Sequence, residues 1–191
     1  MEFDPLDYHT IGDTVVAALL KRPRETLPLA ESFPGAGVYL IYYGGDLRAY
    51  RSISGTETPV YVGKAIPPGS RRGLRQIEKV STRPLFLRLR DHTQSIDAAE
   101  NLDLADFRCR YLVVTPIWIT IAESLMIGRF QPVWNSVVDG FGLHHPGTTR
   151  YDQRRSDWDT LHPGRPWAPM MQEGRDVDDI LDAIQGHFDR Q

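Results

Sequence analysis

Residues 37–43 read GVYLIYY and residues 61–64 read YVGK, and these two short stretches decide the fold. The first is made almost entirely of β-branched and aromatic residues, which predicts a largely buried strand. The second is a shorter run of the same kind, preceded by Pro59. Tyr39 and Tyr61 each stand two residues from a glycine. We therefore predict two adjoining strands that carry one tyrosine each at equivalent places.

The rest of the chain adds helices and one more strand. Thr82 is the predicted N-cap of a helix with Pro84 in its first turn. In the strand after it, inward-facing and outward-facing residues alternate, and Cys109 is on the inward side. The predicted elements are a helix that starts at Thr10 or Asp13 and ends near Arg22, strands over 37–43 and 59–63, helices over 71–79 and 82–96, a half-buried strand over 106–114 with Phe107, Cys109, Tyr111 and Val113 inward, and helices over 117–130 and 176–188.

This order predicts an α+β fold, a small mixed or antiparallel sheet flanked by helices. With 191 residues, the chain is long enough to bury a core as a single domain. We divide that domain into an N-terminal helical arm over 1–30, a core over 35–140, and C-terminal loops with an acidic helix over 141–191.

Composition excludes several classes of protein. The longest apolar runs, such as 15–20, are far too short to span a bilayer. Glu2 and Asp4 stand where a signal peptide would carry positive charge. Cys109 is the only cysteine, which excludes a disulfide framework. We therefore expect a cytoplasmic protein with no membrane partner.

Charge is unevenly distributed along the chain. The formal net charge is −3, but eight lysines and arginines face a single acid, Glu78, between residues 64 and 90. Five acids oppose only Arg175 between residues 173 and 182. A patch so basic attracts phosphate even on an acidic protein, although a solvated helix face explains it equally well.

A set of polar residues follows the two tyrosines. Arg88 and His92 are four apart, so they share one helix face. Glu123 is a lone carboxylate in an apolar helix, which is costly to bury unless it is paired or binds a cation. Asn135 follows that helix. Each residue alone has a structural explanation in the core or on a solvated surface; their order and spacing are what indicate a function.

That order resembles the GIY-YIG nuclease family. Residues 37–39 (GVY) and 61–63 (YVG) stand where its two signature triplets would, with valine for isoleucine in both. Residues 40–60, 21 in number, separate the two tyrosines, which is longer than the usual hairpin of the family. We interpret 44–58 as an insertion available to contact DNA or a second subunit.

The resemblance is tighter to one branch, the type II restriction endonucleases of the SacII-isoschizomer group, which cut CCGCGG. It implies an endonuclease acting on double-stranded DNA as a homodimer on a palindromic site. The stretches that look like this branch are 35–39, 61–65, 101–104, 134–142, 156–159 and 162–165.

The resemblance also implies a catalytic set. Glu123 would bind one Mg²⁺ per active site, with no organic cofactor. Arg88 would contact the scissile phosphate through its planar fork. Asn135 would hold either the metal-bearing helix or a phosphate.

Tyr39 and Tyr61 would surround the attacking water, with Tyr39 as the general base. A free phenol has a pKa of about 10, so it is a poor base at neutral pH. His92 and Lys64 are the candidates to make the phenol a better base, either as a second base that takes its proton or as a cationic neighbour that lowers its pKa.

The basic segment over 64–90 is expected to bind phosphates without reading bases. In a G·C-rich site arginine is the favoured reader of guanine. The candidate DNA-contacting residues are Arg71, Arg72, Arg75, Arg150, Arg154, Arg155 and Arg165.

Three other interpretations compete. The chain could be the catalytic module of a repair or homing nuclease, but no separate DNA-binding region is apparent. It could be an inactive DNA-binding relative, but every expected catalytic position is filled. An unrelated α+β domain would leave the ordered motifs unexplained.

Overall fold

The computed structural model describes residues 8–67, 81–143 and 151–191. The helix predicted over 71–79 lies outside the described residues. The same holds for four of the candidate DNA-contacting residues: Arg71, Arg72, Arg75 and Arg150.

A four-stranded antiparallel sheet forms the centre of the fold, in the order β1-β4-β2-β3. Strand β2 is buried along its whole length, as its apolar sequence predicts. Strand β3 begins at Tyr61, two residues later than predicted, and forms one edge. The two-residue strand β1 was not predicted. The strands are β1 (Glu25–Thr26), β2 (Gly37–Tyr43), β3 (Tyr61–Ala65) and β4 (Phe107–Val113).

Helices flank both faces of this sheet, so the predicted α+β class is confirmed. None of the helices in the described ranges is long and apolar enough to cross a membrane. The helices are α1 (Tyr8–Leu20), α2 (Pro84–Asp97), α3 (Pro116–Phe130), α4 (Val133–Ser136), α5 (Asp157–Leu161) and α6 (Val177–Phe188), with short 3-10 turns at Arg48–Tyr50, Leu104–Asp106 and Ala168–Met170.

Two predicted helix starts are wrong. Helix α1 already includes Tyr8, so Thr10 lies inside it and its carbonyl accepts a hydrogen bond from the Thr14 hydroxyl. Helix α2 has Arg83, not Thr82, as its N-cap residue, without a side-chain cap. The carbonyl of Gly35 accepts from the Leu85 N–H instead, which satisfies a free donor of the first turn.

The sheet separates two apolar clusters. Val38, Leu40 and Tyr42 pack with α1 and α3 on one face. Tyr39 and Ile41 pack on the other face with α2, α4, α5 and α6. Tyr39 therefore points toward α2.

The alternation predicted for β4 holds at its start only. Phe107 and Cys109 are fully buried, as predicted. Tyr111 is half-buried, and Val113 is 49% exposed where the strand reaches the end of the sheet. The prediction that Val113 faces inward is therefore wrong.

A buried hydrogen-bond chain ties the 44–58 insertion to the core. Tyr50 accepts from Trp134 Nε1 at 2.8 Å, and its hydroxyl lies 2.6 Å from His162 Nε2. His162 Nδ1 lies 2.9 Å from the side-chain oxygen of Asn101, which can only accept. Nδ1 therefore carries the proton and Nε2 accepts from Tyr50. Burial lowers the pKa of His162 to about 3, and the charge of Arg165 acts in the same direction.

Because the folded protein holds His162 neutral, its stability should fall in acid. The unfolded chain binds a proton near the ordinary histidine pKa of about 6.5, whereas the folded chain does not until about 3. Between these values the free energy of unfolding should drop by about 1.4 kcal/mol per pH unit as the pH falls. Denaturant unfolding from pH 7 to pH 4 measures this slope, and His162→Gln should reduce it.

The matched control is His187→Gln. His187 is also largely buried, and its Nε2 donates to the carbonyl of Gln131 at 2.8 Å. The control should retain the wild-type slope; an equal slope in His162→Gln and wild type would contradict the assignment.

Candidate active site

Strands β2 and β3 bring the two signature tyrosines side by side. Tyr39 is paired with Gly63 across the strands, and the rings of Tyr39 and Tyr61 have centroids 6.2 Å apart. A Cβ at position 63 would overlap the ring and hydroxyl of Tyr39. Only glycine at this position lets the buried phenol lie flat against the neighbouring strand.

Helix α2 supplies the partner of that phenol. His92 lies one turn beyond Arg88 and is 1% exposed. The hydroxyl oxygen of Tyr39 lies 2.5 Å from His92 Nε2. Phe141 stacks on the imidazole, with ring centroids 4.5 Å apart and planes within 14°. The Tyr39 hydroxyl and the Phe141 ring therefore hold the His92 imidazole from two directions.

Arg88 places its guanidinium beside both tyrosines. It donates to the Gly142 carbonyl at 2.9 Å and hydrogen-bonds to the hydroxyls of Tyr39 and Tyr61. Burial raises the pKa of Tyr39 well above its usual value of 10, and Tyr61 adds to this, while Arg88 opposes the rise. Burial also raises the pKa of Tyr61, again against Arg88. A free phenolate is therefore disfavoured at both positions.

Glu123 belongs to α3, which packs on the other face of the sheet, and its side chain lies beside the edge strand β3. Its carboxylate forms an ion pair with Lys64 at 2.6 Å. The Glu123 side chain is only 17% exposed, and that of Lys64 is 31% exposed. The Glu123 charge contributes to the raised pKa of Tyr61 and, as the smallest cause, to that of Tyr39.

Asn135 closes the outer edge of β3. Its side-chain oxygen accepts from the Val62 N–H at 2.8 Å, and its side-chain nitrogen donates to the Val62 carbonyl at 2.9 Å. The amide thus replaces the peptide group of a further strand. It attaches helix α4, which directly follows α3, to the edge strand.

Four of the seven predicted catalytic side chains contact one another on the α2 face of the sheet: Tyr39, Tyr61, Arg88 and His92. Two others, Glu123 and Lys64, form an ion pair with each other. The seventh, Asn135, binds the strand itself. Of the two residues expected to assist Tyr39, His92 contacts its hydroxyl, while Lys64 pairs with Glu123.

Three of the candidate DNA-contacting arginines lie in the described residues: Arg154, Arg155 and Arg165. Arg154 is exposed and Arg155 is half-buried, in a segment that pairs with Gln172. The hypothesis that Arg165 reads bases is wrong. It is 1% exposed and forms an ion pair with Asp159, so its guanidinium is unavailable to DNA.

Sequence reasoning missed Phe141 and Gly142 as members of the site. Both lie in a loop without periodicity, so only the resemblance of 134–142 to the restriction-enzyme branch marked them. A Cβ at Gly142 would stand 3.0 Å from the Arg88 guanidinium and 3.1 Å from the Tyr61 hydroxyl. That glycine keeps room for both groups.

The donor set around Glu123 favours one class of metal. Within residues 8–67, 81–143 and 151–191, no three His, Cys, Asp or Glu side chains converge. A single carboxylate suits Mg²⁺, which keeps several waters and is often completed by phosphate oxygens. The described residues therefore fit one hydrated divalent ion on Glu123 better than a closed protein cage.

Comparison with known proteins agrees with this geometry. The family model described as "Eco29kI GIY-YIG domain" matches residues 31–188, a span that contains the whole site. No curated protein matches the chain. The chain therefore belongs to the Eco29kI GIY-YIG domain family, a restriction-endonuclease family within the GIY-YIG nuclease superfamily.

Proposed function

We propose that this protein is a type II restriction endonuclease. It hydrolyses phosphodiester bonds of double-stranded DNA at a G·C-rich palindrome, CCGCGG, with one divalent metal ion per active site. The observation that supports this best is the buried pair of Tyr39 and His92, with the Arg88 guanidinium beside the phenol.

Glu123 would hold the metal ion. The bound ion would neutralise negative charge on the phosphate and on the oxygen that leaves. Lys64 keeps the carboxylate at the edge of β3 through the 2.6 Å ion pair. Asn135 supports the same edge, since both polar atoms of its amide bind Val62.

Tyr39 takes the proton of the attacking water without becoming a phenolate. With the imidazole proton of His92 on Nδ1, the Tyr39 hydroxyl donates to Nε2. As a water O–H bond breaks and a new O–H bond forms on Tyr39, the original phenolic proton passes to His92 Nε2. The resulting hydroxide attacks phosphorus. This relay suits a phenol whose pKa burial raises, because the charge develops on the imidazole instead.

Arg88 binds the scissile phosphate. A guanidinium carries N–H donors in a fixed plane that matches phosphate oxygens. The Arg88 guanidinium would bind a phosphate oxygen and stabilise its charge in the transition state.

The proposed activity predicts a defined digest. Plasmid DNA that carries CCGCGG sites, incubated with the protein and Mg²⁺, should give discrete fragments whose ends map to those sites. The measurement is gel analysis with sequencing of the fragment ends. Smeared products would instead indicate a repair-type nuclease, and intact plasmid a DNA-binding protein without activity.

Glu123→Ala is the control for this digest. Removing the carboxylate should abolish Mg²⁺-dependent cleavage but leave binding to a CCGCGG duplex in a gel-shift assay. Retained Mg²⁺-dependent cleavage would contradict the assignment of the metal to Glu123.

The proton relay predicts that Tyr39→Phe loses at least about 100-fold in the single-turnover cleavage rate, since the general base is removed while the ring still packs. Tyr42→Phe is the matched control. It alters a phenol of the same strand, and this phenol is just as buried as that of Tyr39. The Tyr42 side chain points to the other face of the sheet, where its hydroxyl accepts a hydrogen bond from Arg110 at 2.9 Å. Tyr42→Phe should cleave at close to the wild-type rate; equal losses in both variants would exclude the relay.

We further propose that two copies of the chain act together, because a two-fold palindrome presents one scissile bond to each of two symmetric sites. Sedimentation velocity with a CCGCGG duplex should show two chains per duplex. A duplex of scrambled sequence is the control. Finding only one chain on the palindromic duplex would contradict this proposal.

A further inference from the structure

The loop over 140–143 lies between two arginines. Its four carbonyl groups all accept hydrogen bonds from guanidinium groups, but not from the same one. Arg165 donates to three of them, at 2.9 Å to Gly140, 3.3 Å to Phe141 and 3.1 Å to Leu143. The fourth, that of Gly142, accepts from Arg88 at 2.9 Å.

Arg165 is itself rigidly held. Its Nε donates to the carboxylate of Asp159 at 2.5 Å, and the other oxygen of that carboxylate accepts from the Ser156 hydroxyl at 2.7 Å. The guanidinium lies over the ring of Trp158, 4.4 Å from its centroid. Asp159 and Arg165 are both 1% exposed, so the charge pair is sealed from water.

Such a pair is an inefficient way to stabilise a fold, because the loss of hydration offsets much of the attraction between the charges. A guanidinium, with five donors in a fixed plane, can however bind the Asp159 carboxylate and three carbonyls at once, whereas an ammonium has only three donors. The arrangement fixes the backbone on both sides of Gly142. It thereby sets the direction of the Gly142 carbonyl, which Arg165 does not bind.

We propose that Arg165 is a positioning residue for the nuclease site. By holding the carbonyls of Gly140, Phe141 and Leu143, it directs the Gly142 carbonyl at Arg88 and so aims the guanidinium that contacts the scissile phosphate. This inference rests on the proposed nuclease function, and it places an element of the site in the C-terminal segment.

Arg165→Lys tests the inference. Lysine keeps the charge and its attraction to Asp159 but lacks the planar fork, so it cannot hold three carbonyls in place. We expect the single-turnover rate on a CCGCGG duplex to fall about 10- to 100-fold, as for a misplaced catalytic group, with little change in duplex affinity. Arg175→Lys is the control. It alters another arginine–aspartate pair, with Asp157 at 2.8 Å, and should keep the wild-type rate.

A double-mutant cycle distinguishes a role of Arg165 in orienting Arg88 from a general loss of rigidity in the structure. If Arg165 acts through Arg88, adding Arg165→Lys to Arg88→Lys should lower the rate at most about twofold further, because the aimed group is already gone. The same fold-loss in both backgrounds would overturn the proposal and leave Arg165 a structural residue. If Arg165→Lys does not fold, Asp159→Asn replaces it, with the same expected loss and the same non-additivity.

A failure of the positioning role is distinguishable from a failure of the proposed nuclease function. A wild-type protein that cleaves no DNA overturns both proposals. A wild-type protein that cleaves while Arg165→Lys cleaves equally well overturns the positioning role alone.

Discussion

The close approach of the Tyr39 hydroxyl to His92 over the bare backbone of Gly63 is the constraint on which the rest of the site depends. A phenol buried to this degree is a poor base by itself, since burial raises its pKa. It becomes useful only with a second group that accepts its proton. Strand β3 leaves room for the phenol, helix α2 supplies the imidazole, and the ring of Phe141 holds that imidazole in place.

The edge strand β3 carries polar groups on both of its faces. Tyr61 lies on the α2 face, whereas Lys64 and Glu123 meet on the α3 face. An edge strand also has unpaired peptide groups, and Asn135 binds those of Val62. The same residue thus protects the edge and supports the site.

Local patterns predicted the elements that carry strong periodicity. The apolar run 37–43, the helix with Arg88 and His92, and the apolar helix with Glu123 all lie where the sequence places them. Two of the errors occur where the sequence carries no local pattern for the contact or the element that forms. Thr82 lost the N-cap position because the Gly35 carbonyl, close only in the folded chain, binds the first turn of α2. Strand β1 has two residues and no pattern to detect.

The sequence by itself determined the α+β class, the order of the catalytic residue types and their resemblance to GIY-YIG nucleases, because these depend on spacing along the chain. The tertiary structure alone decided which groups touch. It paired Lys64 with Glu123 and His92 with Tyr39, and it buried Arg165 beneath the loop over 140–143 instead of leaving it free for DNA. Burial and hydrogen bonding between segments far apart in sequence set these contacts, and no periodicity within either segment records them.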